Sequence, residues 1–93
     1  MCSSDLIEAM AAAGEAAGLG SDLSMRLARA TVSGAGELAY QSEDTPAQLR
    51  VNVTSPGGTT AAGLAVLMGE GGLTPLMTRA VAAAAARGAE LGR

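Results

Sequence analysis

The 93-residue chain has no histidine, phenylalanine, tryptophan or lysine, one tyrosine (Tyr40) and one cysteine (Cys2). Each absence excludes something. Without histidine and with a single cysteine, the chain cannot assemble a zinc set, a disulfide framework, or a Ser-His or Cys-His nucleophile pair, and no metal site is expected. Six basic residues against nine acidic ones leave a net charge of -3 and no basic stripe of the kind that neutralises phosphates, so nucleic acid is not an expected partner. The longest apolar run, Ala80 to Ala86, is far short of the ~20 residues that span a bilayer, and no apolar signal segment opens the chain. No membrane partner and a cytoplasmic location are expected. Asn52-Val53-Thr54 matches the glycosylation triplet, but without a secretory signal it is expected to be inert.

What remains is a chain that is 48% apolar with almost no aromatic bulk. Its interior must come from Leu, Met, Val and much Ala. At ~0.8 kcal/mol per buried methylene, alanine contributes little, so stability must come from close backbone approach or from a partner. An oligomer is expected.

Residues 1–6 do not continue the pattern that follows and read as a non-native or truncated lead-in, unless Ser3 or Ser4 caps the first helix; Cys2 is given no function. The expected domain is 7–93. The first helix runs from Leu6 to Ala17, with Leu6, Ala9, Met10, Ala13 and Ala17 inward, and stops at Gly18-Leu19-Gly20. Ser21 is the expected cap of a long second helix reaching Gln41, its face marked by Leu23, Leu27, Ala30, Thr31, Gly34, Leu38 and Ala39. Gly34 and Gly36 each cost a helix interior about 1 kcal/mol against alanine, so another helix or a ligand is expected close to them. Thr45-Pro46 opens a short helix ending near Asn52, with Leu49 inward and Arg50 outward. Thr59 or Thr60 caps a fourth helix through Leu64, Leu67 and Met68, broken by Gly69-Glu70-Gly71-Gly72. Thr74-Pro75 starts the last, with Leu76, Met77, Ala80, Val81, Ala84 and Leu91 on the expected buried side and Gly92 as its end. The only strand candidate, Val51 to Thr54, has no partner. The class is all-α: two long helices, a short one, then a helix pair.

One segment carries chemistry. Val53-Thr54-Ser55-Pro56-Gly57-Gly58-Thr59-Thr60-Ala61-Ala62-Gly63-Leu64 delivers a glycine pair and hydroxyls to a helix start, where outward N–H groups and the helix dipole favour a small anion such as a carboxylate. From the residues alone, this is either such a site or a plain interhelical turn. It is not a P-loop, because no lysine follows the glycines, and not a dinucleotide fingerprint, because no strand precedes it. Without a lysine to neutralise a dianion, an independent phosphate-binding role ranks well behind a carboxylate.

The same segment closely resembles the signature of pyrroline-5-carboxylate reductases. Glu8-Ala9-Met10 through Gly18-Leu19, Thr45-Pro46, Leu49-Arg50, Gly71-Gly72-Leu73 and the final Arg87 to Gly92 resemble that family's helices in turn, so the likeness covers Ile7 to Arg93. Val51 departs from it, standing where the family usually has an acidic residue, and Met1 to Leu6 does not reproduce the family's Gly- and Ser-rich lead-in. The resemblance implies an oxidoreductase that reduces 1-pyrroline-5-carboxylate to L-proline with NADPH or NADH, the last step of proline biosynthesis. It implies helices interlocked with a second subunit as a homodimer or a higher oligomer. By position, it implies that Ser55, Gly57, Gly58 and Thr59 hold the substrate carboxylate, that Thr60, the one catalytic candidate, lies near the imine nitrogen, and that Glu43 lies beside the ring. No Gly-x-Gly-x-x-Gly or βαβ pattern is present, so no cofactor is expected on this chain alone and no reductase activity from it by itself. The alternative is a stand-alone helical dimerisation module without catalysis.

Overall fold

The computed structural model describes residues 4–92. The expectations that fall on Met1, Cys2, Ser3 and Arg93 lie outside the described residues. Five helices follow in order: α1 (Ser4–Ala16), α2 (Ser21–Gln41), α3 (Pro46–Asn52), α4 (Thr59–Leu67) and α5 (Leu73–Leu91). No strand occurs among the described residues; Val51 and Asn52 close α3 and Val53 and Thr54 lead out of it. The all-α class holds, although the second long helix beside α2 is α5, with 19 residues, rather than α1, with 13.

The chain divides into two compact units, 1–49 and 50–93, with the boundary inside α3. In the first, α1 and α2 pack as a hairpin. Gly18, at φ 107°, makes the left-handed exit from α1 that a β-carbon would strain, and Leu19 N–H returns to the Gly14 carbonyl at 3.0 Å. The buried residues are Ala11 on α1 and Ser24 and Ala28 on α2. A β-carbon added to Gly14 would lie 2.9 Å from Ser24 Oγ and 3.2 Å from Ser24 Cβ. The seam is thus built of small residues that let two backbones come close.

This corrects the expected helix faces. The seam uses Ala11 and Gly14, not Leu6, Ala9, Ala13 and Ala17, and Ser24 and Ala28, one position on from Leu23 and Leu27. Larger side chains do not fit at this separation, so the leucines turn outward. Leu23, Leu27 and Leu38 are all exposed, Leu27 at 48%. The close neighbour expected at Gly34 and Gly36 is not found among the described residues, where a β-carbon at either meets nothing within 4 Å.

In the second unit no residue of α4 or α5 is buried. Leu76, Met77, Val81 and Leu91, expected inward, are exposed, Val81 at 53%, and Ala80 and Ala84 with them. An open apolar groove of about 600 Å³ runs along α5 past Leu73, Met77, Val81 and Ala85. The periodicity located real apolar faces, but nothing among the described residues of the same unit covers them.

The cap assignments also shift. The structure places Gly20, Gly58 and Gly72 at the caps of α2, α4 and α5, none with a side-chain cap, so Ser21 and Thr59 are first helical residues, Thr60 and Thr74 second. Thr45 caps as expected: its Oγ1 accepts the Gln48 N–H at 3.1 Å ahead of Pro46. Ser4 is the first residue of α1. No helix among the described residues is long and apolar enough to cross a membrane.

Candidate functional site

Between α3 and α4 the chain makes one tight reversal. Pro46 opens the seven-residue α3, which ends at Asn52, where Val53 N–H reaches the Arg50 carbonyl at 3.3 Å and Thr54 N–H the Val51 carbonyl at 3.1 Å. Ser55-Pro56-Gly57-Gly58 is then a four-residue turn closed by Gly58 N–H on the Ser55 carbonyl at 3.0 Å. Proline at the second position fixes φ, and the third position needs a positive φ, which Gly57 supplies at 74°. Gly58 follows with φ -85° and ψ -178° as the cap of α4.

The turn is crowded on one side. A β-carbon on Gly58 would come 3.2 Å from the Ser55 carbonyl oxygen, so glycine at this position keeps the turn closed as well as the surface bare. The Gly58 amide is spent within the turn. The donors left over are the first amides of α4, on Thr59, Thr60 and Ala61, because the helical ladder begins with Ala62 N–H on the Gly58 carbonyl at 3.1 Å and no side chain caps the end.

Two fates of hydroxyls in the chain bear on these amides. Thr31, Thr54 and Thr78 each donate to the carbonyl four residues back, at 2.7, 2.6 and 2.7 Å. The hydroxyls of Ser55, Thr59 and Thr60 make no hydrogen bond within the described residues, and all three residues are exposed. At the first turn of a helix there is no carbonyl four residues back that belongs to the same helix, so Thr59 and Thr60 keep donor and acceptor capacity for something outside. Three uncommitted hydroxyls therefore surround a helix start with uncommitted amides, an arrangement suited to a small oxyanion.

Glu43 lies elsewhere in the chain. It sits in the first unit, in the turn after α2, where Asp44 N–H donates to Ser42 Oγ at 3.0 Å; it is exposed and has no partner among the described residues. The structure thus brings Ser55, Gly57, Gly58, Thr59 and Thr60 together on one turn, with Glu43 in the other unit. Sequence reasoning missed that Thr54 and Ser55, adjacent hydroxyls, have opposite fates: the Thr54 hydroxyl donates to the Arg50 carbonyl of α3, while that of Ser55 has no partner among the described residues.

No group of three or more metal-ligating side chains occurs among the described residues. A nicotinamide dinucleotide is not fitted by these residues either: with no strand among the described residues, no strand-to-helix glycine turn is available for a pyrophosphate.

Comparison with known proteins identifies relatives of this chain. The family model described as "Pyrroline-5-carboxylate reductase dimerisation" matches residues 4–91. The pyrroline-5-carboxylate reductase of Synechocystis is 47% identical over 88 residues, covering 95% of this chain and 33% of the relative. That of Pisum sativum is 51% identical over 85 residues, covering 91% and 31%, and that of Pseudomonas aeruginosa 43% over 86 residues, covering 92% and 31%. The chain spans about a third of the length of the curated relatives it matches. With its helices matched almost from end to end by one family model, the chain belongs to the pyrroline-5-carboxylate reductase dimerisation family.

Proposed function

We propose that this chain is the self-associating and substrate-carboxylate-binding part of a reductase that converts 1-pyrroline-5-carboxylate to L-proline in proline biosynthesis. The observation that carries the association half is how little each unit buries: among the described residues the buried ones form a small-residue seam between α1 and α2, while Leu23, Leu27 and Leu38 on α2 and Leu73, Met77 and Val81 on α5 stay open. A helix normally buries an apolar stripe of about 100°, and two such stripes left open call for a second copy of the same chain. The interlocked arrangement implied by the family is the natural way to cover both, as a homodimer or a multiple of it.

The carboxylate half rests on the uncommitted hydroxyls and amides at the start of α4. In this reading Ser55, Thr59 and the first-turn amides hold the carboxylate, Gly57 and Gly58 let it approach the backbone, and Thr60 lies near the imine nitrogen. Glu43 lies beside the ring in the assembled protein. The chain's own contribution to the reaction is orientation: it fixes the imino acid by its carboxylate, so that one face of the C=N bond is presented. NADPH or NADH supplies the hydride in the parent enzyme, and the residues of this chain do not hold it. The location proposed for the parent enzyme is the cytoplasm.

The test is a pair of measurements on the chain as it stands. Its mass in solution should be at least that of two copies. L-Proline should raise its unfolding temperature, because a ligand that binds only the folded state stabilises it by RT ln(1 + [L]/Kd). Self-association without any proline effect would favour the stand-alone dimerisation module. Incubation with pyrroline-5-carboxylate and NADPH should give no turnover.

A further inference from the structure

We infer that Thr54 is a positioning residue for the carboxylate turn, acting through Ser55; this inference rests on the carboxylate reading above. The observation is the 2.6 Å hydrogen bond from Thr54 Oγ1 to the Arg50 carbonyl, in a part-buried position at the end of α3. That carbonyl accepts twice, from Val53 N–H at 3.3 Å and from the Thr54 hydroxyl. Together with Thr54 N–H on the Val51 carbonyl, these bonds tie the residue preceding Ser55 to the last turn of α3 by both backbone and side chain.

The consequence is geometric. The downstream end of the turn is fixed by Gly58 N–H on Ser55 O, and that bond closes the loop without saying where it points. Direction is set upstream, where the chain leaves α3, and the Thr54 hydroxyl makes a side-chain contact there. A binding group must be held to within about 0.5 Å of its productive position by neighbours that are themselves fixed. The Thr54 side chain is committed backward to α3, so the next hydroxyl, that of Ser55, is the first free one on the turn. Two adjacent hydroxyls thus divide the work, one anchoring and one binding.

The experiment compares Thr54→Val, Thr54→Ala, Thr54→Ser and Ser55→Ala with the parent full chain, in its native oligomer. Two readouts are taken: the dissociation constant for L-proline, and amide hydrogen exchange at Gly57, Gly58 and Thr59. Thr54→Val keeps the shape and loses the hydroxyl, and Thr54→Ala guards against misfolding of the bulkier variant. Both should bind proline about three- to tenfold more weakly, the worth of one hydrogen bond, and exchange faster at the turn. Thr54→Ser should restore both, which a loss of packing alone would not allow. Parent-like affinity and exchange in Thr54→Val and Thr54→Ala, with Ser55→Ala weakened, would overturn the positioning role and leave the site standing. If the parent chain itself ignores proline, the carboxylate reading falls, and exchange alone decides on Thr54: unchanged exchange in the two hydroxyl-free variants overturns the inference, and faster exchange supports the anchoring.

Discussion

Gly14→Ala offers a sharp test of how α1 meets α2. In an isolated helix the substitution is favourable by about 1 kcal/mol, because glycine loses more backbone freedom on folding. Here the new methyl would sit 2.9 Å from Ser24 Oγ and 3.2 Å from Ser24 Cβ. The first contact is with a rotatable group, but Ser24 is only 2% exposed and has little room to turn. The second is with an atom fixed to the backbone. Overpacking of this kind costs about 1–3 kcal/mol, so the net effect should be a loss of about 1 kcal/mol. Ser24 carries a further feature, a buried hydroxyl with no hydrogen-bond partner. Ser24→Ala should therefore be neutral to stabilising by about 1 kcal/mol, since an unsatisfied group is removed, and in that background Gly14→Ala meets only the 3.2 Å contact. The pair should couple by about 1 kcal/mol in a double-mutant cycle. The assay is urea unfolding followed by far-ultraviolet circular dichroism at one fixed protein concentration. If Gly14→Ala raises stability by its full propensity gain and the cycle closes with no coupling, the backbones are not in close approach and the seam is misdescribed.

Three other outcomes follow from the same structure. Leu27→Asp and Val81→Asp alter half-exposed positions of the single chain, where polar substitutions ordinarily move stability by less than about 0.5 kcal/mol; both should instead dissociate the oligomer or unfold it, as read by sedimentation. Ser55→Ala and Thr59→Val remove hydroxyls without partners among the described residues, so the melting temperature without ligand should stay put while proline affinity falls; a drop in ligand-free stability would show that these hydroxyls are structural. The Arg87–Glu90 pair is 2.8 Å long but 67% and 61% exposed, so Glu90→Gln should cost no more than about 0.5 kcal/mol by chemical denaturation.

The sequence was most legible where one residue settles the geometry. Pro46 behind Thr45 started α3 as read, because the capping hydroxyl and the fixed φ act locally, and the Ser55–Gly58 turn was fixed by proline and glycine at the positions such a turn requires. Helical extents were readable from apolar spacing and from Gly18 and Gly92. The facing of the helices was not. Periodicity shows which side of α2 is apolar but not what covers it, and the in-chain contact went to Ser24 and Ala28 because closeness selected small residues over leucine. Cap assignments failed for a related reason: Ser21, Thr59 and Thr74 are good caps by type, yet the preceding glycines take the extended cap conformation at each start. At the candidate site the residue types were visible in the sequence; which hydroxyls are already committed depends on the end of α3, which only coordinates reveal.

The most direct test of the central claim is the mass of the chain in solution by sedimentation equilibrium across a wide concentration range. The account predicts a mass of two copies, or a whole multiple of that, because within its own unit neither the apolar face of α2 nor that of α5 is covered. A single-copy mass persisting to the highest concentration, with the helices still folded, would contradict it.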